Sequence, residues 1–226
     1  MVLPVFKTNA PPVLSQVLAW EADPHFCREP VTVLAGSSAD RDLALGTVLG
    51  QIALGAATVT AGGGNTGAGT VGSVTRGAAC KVGTYRLTCI AAASNAGRFQ
   101  VVDPDGNRLA DALVAVAYAQ PQLGFTIADG DPDFAVGDSF TIAFAAGSNK
   151  VIALKLDATD GSQHAAGVLL GHVIAPDGVD APGLASWRDS HVLPSGLVWP
   201  AGITTDQKNA ALAELAAKRI FTRTEA

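Results

Sequence analysis

SHVLPSGLVWPAGITTDQKNAALAELAAKRIFTR, residues 190 to 223, carries the clearest helix signal of the chain and orders the reading of the rest. Thr204 and Gln207 make a capping box, in which each side chain serves the other residue's backbone N–H, and Asp206 suits the positive helix start. Leu212, Leu215 and Ala216 recur at a helical period, so a helix is expected from about Thr205 to Lys218. Ile220 and Phe221 then close the chain as a short strand. Upstream of this stretch, period-two patterns and turn residues prevail, so the chain reads as mainly β with one C-terminal helix.

Working back from there, VIALKL (151 to 156) reads as a strand, DATDGSQ as a turn and AAGVLLGHVIA (165 to 175) as a second strand. Val31, Val33 and GTVLGQI (46 to 52) read as short strands around the loop Gly36 to Leu43. From Ala56 the composition changes. AATVTAGGGNTGAGTVGSVT is rich in Gly and Thr, with Gly62 to Asn65 as a hairpin tip. Alternation then places Tyr85, Leu87 and Cys89 on one strand face. Phe99 and Val101, then Val114, Val116 and Tyr118, then Phe125 and Ile127, then Phe140, Ile142 and Phe144 follow the same rule. These short strands fit a small β-sandwich.

Composition narrows the function. With 15 Lys and Arg against 20 Asp and Glu, charged residues make up 15% of the chain, well under the roughly 25% of an average domain. The net charge of −5 and a pI near 5.2 argue against a nucleic-acid partner. No apolar run approaches the roughly 18 residues of a membrane helix, and Lys7 and Asn9 interrupt any secretory signal. The chain is therefore expected to be made in the cytoplasm, with no membrane partner. Cys27, Cys80 and Cys89 have neither disulfide nor zinc spacing. The first residues differ again: Pro4, Pro11, Pro12 and Pro24 favour extended backbone around one helix-like piece, Val13 to Trp20. Leu3, Val5, Phe6, Val13, Leu14, Val17, Leu18 and Trp20 make this segment too apolar for a solvated tail, which points to an arm that docks on another chain.

Sites for chemistry are sparse. His25, His164, His172 and His191 have no metalloprotease spacing. Asp157, Asp160, Ser162 and His164 hold the residue types of a hydrolase triad but sit on one turn, which their side chains would cap. Asp103, Asp105 and Asn107, and again Asp129, Asp131 and Asp133, alternate oxygen ligands as calcium loops do, without the closing Glu. Asp-Gly and Pro-Asp-Gly are also ordinary turn chemistry, so no metal and no cofactor are expected.

Four stretches, CREPVTVLAG (27 to 36), LALGTVLGQI (43 to 52), KLDATDGSQHAAGVLLGHV (155 to 173) and the quoted 190 to 223, resemble the lambda-type head decoration proteins of tailed bacteriophages. The resemblance implies residues 1–22 as a capsid-docking arm, 23–55 plus 148–226 as a decoration core, and 56–147 as an inserted β-sandwich domain. It also implies a structural role without catalysis, on the outside of the expanded capsid in the virion. There homotrimers at threefold and quasi-threefold sites stabilise the shell, and the arm pairs with the major capsid protein. Trp187, Leu197, Val198 and Trp199 are then candidates for the trimer interface or the core, and the insert is a candidate binder of cell-surface glycan. Two other classes stay open: an adhesin or carbohydrate-binding module of a phage tail or cell surface, and a hydrolase built on Asp157, Ser162 and His164.

Overall fold

A computed structural model of the chain describes residues 12–223. They form two compact units, one from the residues up to Gln51, Lys150–Leu156 and those from Ser162 onward, the other from Ile52–Asn149 and Asp157–Gly161.

The first unit contains β1 (Leu18–Glu21), a four-residue helix α1 (Pro24–Cys27), β2 (Arg28–Val33), β3 (Arg41–Leu43) and β4 (Val48–Gln51). The second contains β5 (Leu54–Ala61), β6 (Thr70–Arg76), β7 (Gly83–Ala93), β8 (Ala96–Val102), β9 (Ala112–Leu113), β10 (Ala117–Ala119), β11 (Leu123–Ala128) and β12 (Ser139–Ala146). The chain then completes the first unit with β13 (Val151–Ala153), β14 (Ala165–Leu169), β15 (Val173–Ala175), β16 (Ala181–Ser186), β17 (Ser190–Val192), α2 (Thr205–Ala217) and β18 (Ile220–Thr222).

In the first unit, β13, β2, β16, β14 and β4 close into a barrel. Alternate residues of its strands serve two cores. Val33, Leu49, Val151, Leu169 and Ala185 share one apolar cluster, while Val48 and Val168 join another with Leu215 and Ala211 of α2. Both faces of β14 are thereby covered, and all five of its residues are buried. The helix follows its capping signal: Gln207 N donates to Thr204 Oγ1 at 3.2 Å and Thr204 N to Gln207 Oε1 at 2.9 Å. It buries Ala211 and Leu215, four residues apart, with Leu212 at the rim. Past the helix, Arg219 takes a left-handed φ of 62° and β18 returns parallel to β17, opposite the edge held by β1.

Three segments meet at two glycines. Gly46 has φ +86°, and a Cβ there would stand 2.0 Å from the Gly196 carbonyl oxygen; a Cβ on Gly196 would stand 2.0 Å from that of Gln16. The contact is held by Val198 N donating to Gly46 O at 2.9 Å and Leu193 N to Val17 O at 2.8 Å. Backbone this close has no room for a side chain.

In the second unit, β5, β12, β7, β8 and β9 form one sheet and β10, β11 and β6 another, and both contribute to one core. Aromatic rings fill it: Tyr85 meets Phe144 edge-on at 5.7 Å, Phe99 meets Phe134 edge-on at 5.0 Å, and Tyr118 stacks on Phe125 at 4.5 Å. The ends of the unit are joined by Gly147 N to Ala53 O and Asn149 N to Ile52 O. Asp138, 4% exposed, accepts from the backbone N–H groups of Thr66 and Gly67, both at 2.8 Å, and of Ala135 at 3.0 Å. Burial pushes this carboxyl up, but the backbone donors outweigh it and hold the group below its ordinary range.

Several sequence expectations need correction. The helix-like piece Val13 to Trp20 is one 3-10 turn, Leu14–Gln16, followed by β1. The strand expected over 151 to 156 stops at Ala153, where Lys155 N turns to Ser162 O. The strand expected over 165 to 175 breaks after Leu169, because β14 stays in the barrel while β15 pairs with β3. Val114, Val116 and Tyr118 do not share a strand face: Ala115 at φ 62° separates β9 from β10 and leaves Val116 52% exposed. The turn Gly62 to Asn65 is not a hairpin tip. It links β5 to β6 in the opposite sheet, and the Asn65 side-chain amide bonds the Ser139 backbone in both directions.

Gly196→Ala should lower unfolding stability by about 1–3 kcal/mol, the range of an overpacked site, and Gly46→Ala by more, since it adds left-handed strain. Gly63→Ala, in open space, should change the urea midpoint little. For Asp138 the folded pKa lies below the unfolded one, so its stabilisation is present above about pH 4 and is lost as pH falls through the folded value. Urea midpoints should therefore drop on acidification below pH about 4, and Asp138→Asn should flatten that drop while costing about 2 kcal/mol at neutral pH.

Candidate functional site

Of the arm residues, Leu3, Val5 and Phe6 lie outside the described residues. The described part of the segment packs on the first unit. Val17 is 1% exposed in the core with Leu45, Val48 and Leu197, and Leu14 and Leu18 pack against the same cluster. β1 pairs antiparallel with β17, and Arg28 donates to both carboxylate oxygens of Glu21, tying β1 to β2. Val13 and Trp20 are left exposed, at 54% and 52%.

Trp20 is part of a larger feature. In register across β1, β17 and β18 stand Trp20, His191 and Phe221, with ring centroids 5.4 Å apart for the first pair and 5.8 Å for the second. Phe221 is 44% exposed while its neighbour Ile220 is 1% exposed, so strand alternation turns one residue into the core and the next outward. Sequence reading assigned Phe221 to a strand without seeing this face, because the parallel pairing of β17 with β18 crosses 30 residues of chain. Phe26, 52% exposed beneath the Arg188 guanidinium at 5.1 Å, is a second outward aromatic that it missed.

The four trimer-or-core candidates separate. Leu197 is buried in the first unit's own core, and Trp199 packs partly against that cluster. Trp187 lies at the margin of the barrel cluster with the Lys218 ammonium 5.3 Å from its ring centroid. Val198 is 42% exposed, its backbone committed to Gly46 and Val48.

The first Asp-rich loop behaves as a turn. Asp103 accepts from Asp105 N at 3.0 Å and Asn107 N at 2.8 Å, and the Lys81 ammonium sits 2.7 Å from its other oxygen. Lys81 therefore fills the place where a bound cation would be sought. The ammonium above all, against the opposing effect of burial, holds the Asp103 carboxyl far below the ordinary range, and the two aspartates hold the Lys81 ammonium well above its own. Asp129, Asp131 and Asp133 line an open depression with Asn95, whose N–H donates to Asp133 at 2.9 Å. Among the described residues, no group of three or more His, Cys, Asp or Glu is arranged to hold a metal ion.

The hydrolase residues differ in exposure. Ser162 is wholly buried, while the exposed His164 meets Glu214 of α2 at 2.6 Å, and the other oxygen of that carboxylate accepts from Ala165 N.

No curated protein matches the chain. Among solved structures, FlgL from Xanthomonas campestris is similar in two crystal forms, at 20% and 23% identity and TM-scores of 0.34 and 0.33 over 46% of this chain. The flagellar junction protein FlgL from Legionella pneumophila is similar at 21% identity and a TM-score of 0.29 over 47% of this chain. The matched region spans 34%, 33% and 38% of those proteins, and TM-scores at this level do not amount to a shared fold. The family comparison reaches much further, matching residues 7–220, nearly the whole chain, to the family described as bacteriophage lambda head decoration protein D. The chain belongs to that family.

Proposed function

We propose that this protein stabilises the expanded head of a bacteriophage by binding the outside of its shell as a homotrimer at threefold and quasi-threefold sites. The observation that carries this reading is the family match over residues 7–220. The role asks for surface complementarity and no chemistry, and the burial of Ser162 beside a Glu214-bound His164 gives the hydrolase alternative no support.

In this reading residues 1–11 are the docking arm and pair with the major capsid protein by strand addition, in which backbone groups supply affinity and alternate side chains supply specificity. Residues from Val13 onward belong to the body. Val17 and Leu18 are already used by its core and by β17, which leaves Trp20, with His191 and Phe221, as the aromatic anchor beside the arm. Val198 and the margins of Trp187 and Trp199 are assigned to contacts between protomers. The second unit is assigned as an insertion into the decoration core, a reading supported by the hydrogen bonds that hold its two ends together.

Purified virions should contain this protein at a copy number near that of the major capsid protein, and its absence from heads would remove the proposal. Removal of residues 1–11 should leave the urea midpoint unchanged and weaken binding to expanded capsids at least about tenfold. Removal of residues 1–20 should in addition destabilise the first unit by about 2–4 kcal/mol, because it takes Val17 out of the core. Equal capsid affinity of the 1–11 deletion and the intact chain, measured by co-sedimentation with expanded heads, would contradict the arm assignment.

A further inference from the structure

The second unit divides its charge by location. It carries five basic and nine acidic residues, yet the outward face of its five-stranded sheet is basic. Strand register builds that face rung by rung. Thr60 on β5 stands beside Thr141 on β12, Thr141 beside Arg86 on β7, Arg86 beside Val102 on β8, and Val102 beside Arg108. Directly opposite residues in antiparallel strands point to the same side. Neighbouring rungs add Thr58, Ala143 and Thr84 on one side and Ser139, Thr88 and Gln100 on the other. Arg98, exposed on β8, completes a set of three arginines.

Those arginines are under-compensated. Arg98 and Arg108 share one carboxylate, Asp111, at 3.8 and 2.9 Å. Arg86 is exposed, and its guanidinium makes no hydrogen bond or ion pair among the described residues. The other two basic residues are engaged elsewhere, Arg76 by the carbonyls of Leu54 and Gly55 and Lys81 by Asp103 and Asp105. Strands about 4.8 Å apart set Arg86 and Arg108 about 10 Å from each other along one rung. The result is a shallow surface of hydroxyl and amide groups with an unpaired guanidinium near its middle.

We propose that this face binds an acidic polysaccharide, a polymer that repeats carboxylate and hydroxyl groups along its length. Guanidinium groups take carboxylates through paired hydrogen bonds, and Thr, Ser and Gln side chains exchange hydrogen bonds with sugar hydroxyls. No aromatic side chain occurs among the rung residues, so the face has no platform for stacking a neutral sugar ring or a nucleic-acid base. The inference treats the second unit as a ligand-binding addition to a decoration protein, and so rests partly on the proposed function.

The test uses the full-length protein and immobilised polygalacturonate, with dextran and duplex DNA as comparison polymers. Polygalacturonate should retain the protein at low salt and release it as salt rises, and dextran and DNA should retain it far less. Arg86→Ala should weaken retention about tenfold, the loss of one charge-assisted pair, with an unchanged urea midpoint, and Arg86→Lys should recover part of it. No retention on polygalacturonate, equal retention of Arg86→Ala, or stronger retention on DNA would each overturn the assignment. A change of sedimentation in Arg86→Ala without a change in retention would also overturn it, by assigning the arginine to self-association. Binding of Arg86→Ala to expanded capsids should match that of the intact chain, so a failure of decoration and a failure of polysaccharide binding are read separately.

Discussion

The first unit depends on how closely its backbones cross at Gly46 and Gly196. Gly46 opens the approach to β4, Gly196 lies in the turn after β17, and Gln16 precedes β1, so three distant parts of the sequence share one contact. Side-chain packing could not substitute for it, since carbonyl oxygens at 2.0 Å from a notional Cβ leave no space for even a methyl group. The hydrogen bonds from Val198 to Gly46 and from Leu193 to Val17 fix the same crossing. The consequence reaches the proposed binding surface: once Val17 is set there, β1 must run beside β17, and Trp20 comes into register with His191 and Phe221.

A different constraint shapes the second unit. Its core is aromatic and continuous across two sheets, so its loops need fixed ends, and aspartates supply them through backbone N–H groups. Asp138 gathers donors from its own loop and from the β5–β6 connection, and Asp103 closes the turn after β8 while holding Lys81. An Asp oxygen that accepts two or three main-chain donors is saturated and has little left for a metal ion. The alternating Asp pattern at 103 to 107, which resembles a calcium loop, thus belongs to the chain reversal after β8.

Local signals in the sequence carried much of this structure and nonlocal ones carried little. The start of α2 followed from Thr204 and Gln207 because a capping box is complete within four residues, and the inward faces of β7 and β12 followed from strict alternation. β4 and β14 conceal their period because both of their faces are covered, by the barrel interior and by α2 with its neighbours. The break after Leu169 depends on β3, more than a hundred residues earlier. An apolar stretch looks the same whether it fills a partner's pocket or its own core, and the pairing of Leu18 with Val192, with Val17 buried beside it, places these residues against the first unit.

The shortage of charge takes on a specific form once the partners are known. Arg28 with Glu21, Arg188 with Glu29, Lys150 with Asp180 and Arg219 with Asp189 each bind elements of the first unit to one another. Partly exposed pairs of this kind contribute modestly to stability, but they fix geometry. In the second unit Arg98 and Arg108 share the Asp111 carboxylate, whereas the Arg86 guanidinium has no carboxylate partner among the described residues, and salt screens its field. Arg86 stands on the central strand of a sheet face whose stability comes from Tyr85 and Leu87 on the opposite side, so the fold gives it no structural duty. A charge that the fold does not use, set among hydroxyl groups on a rigid sheet, is the kind of residue that a ligand would explain and packing does not.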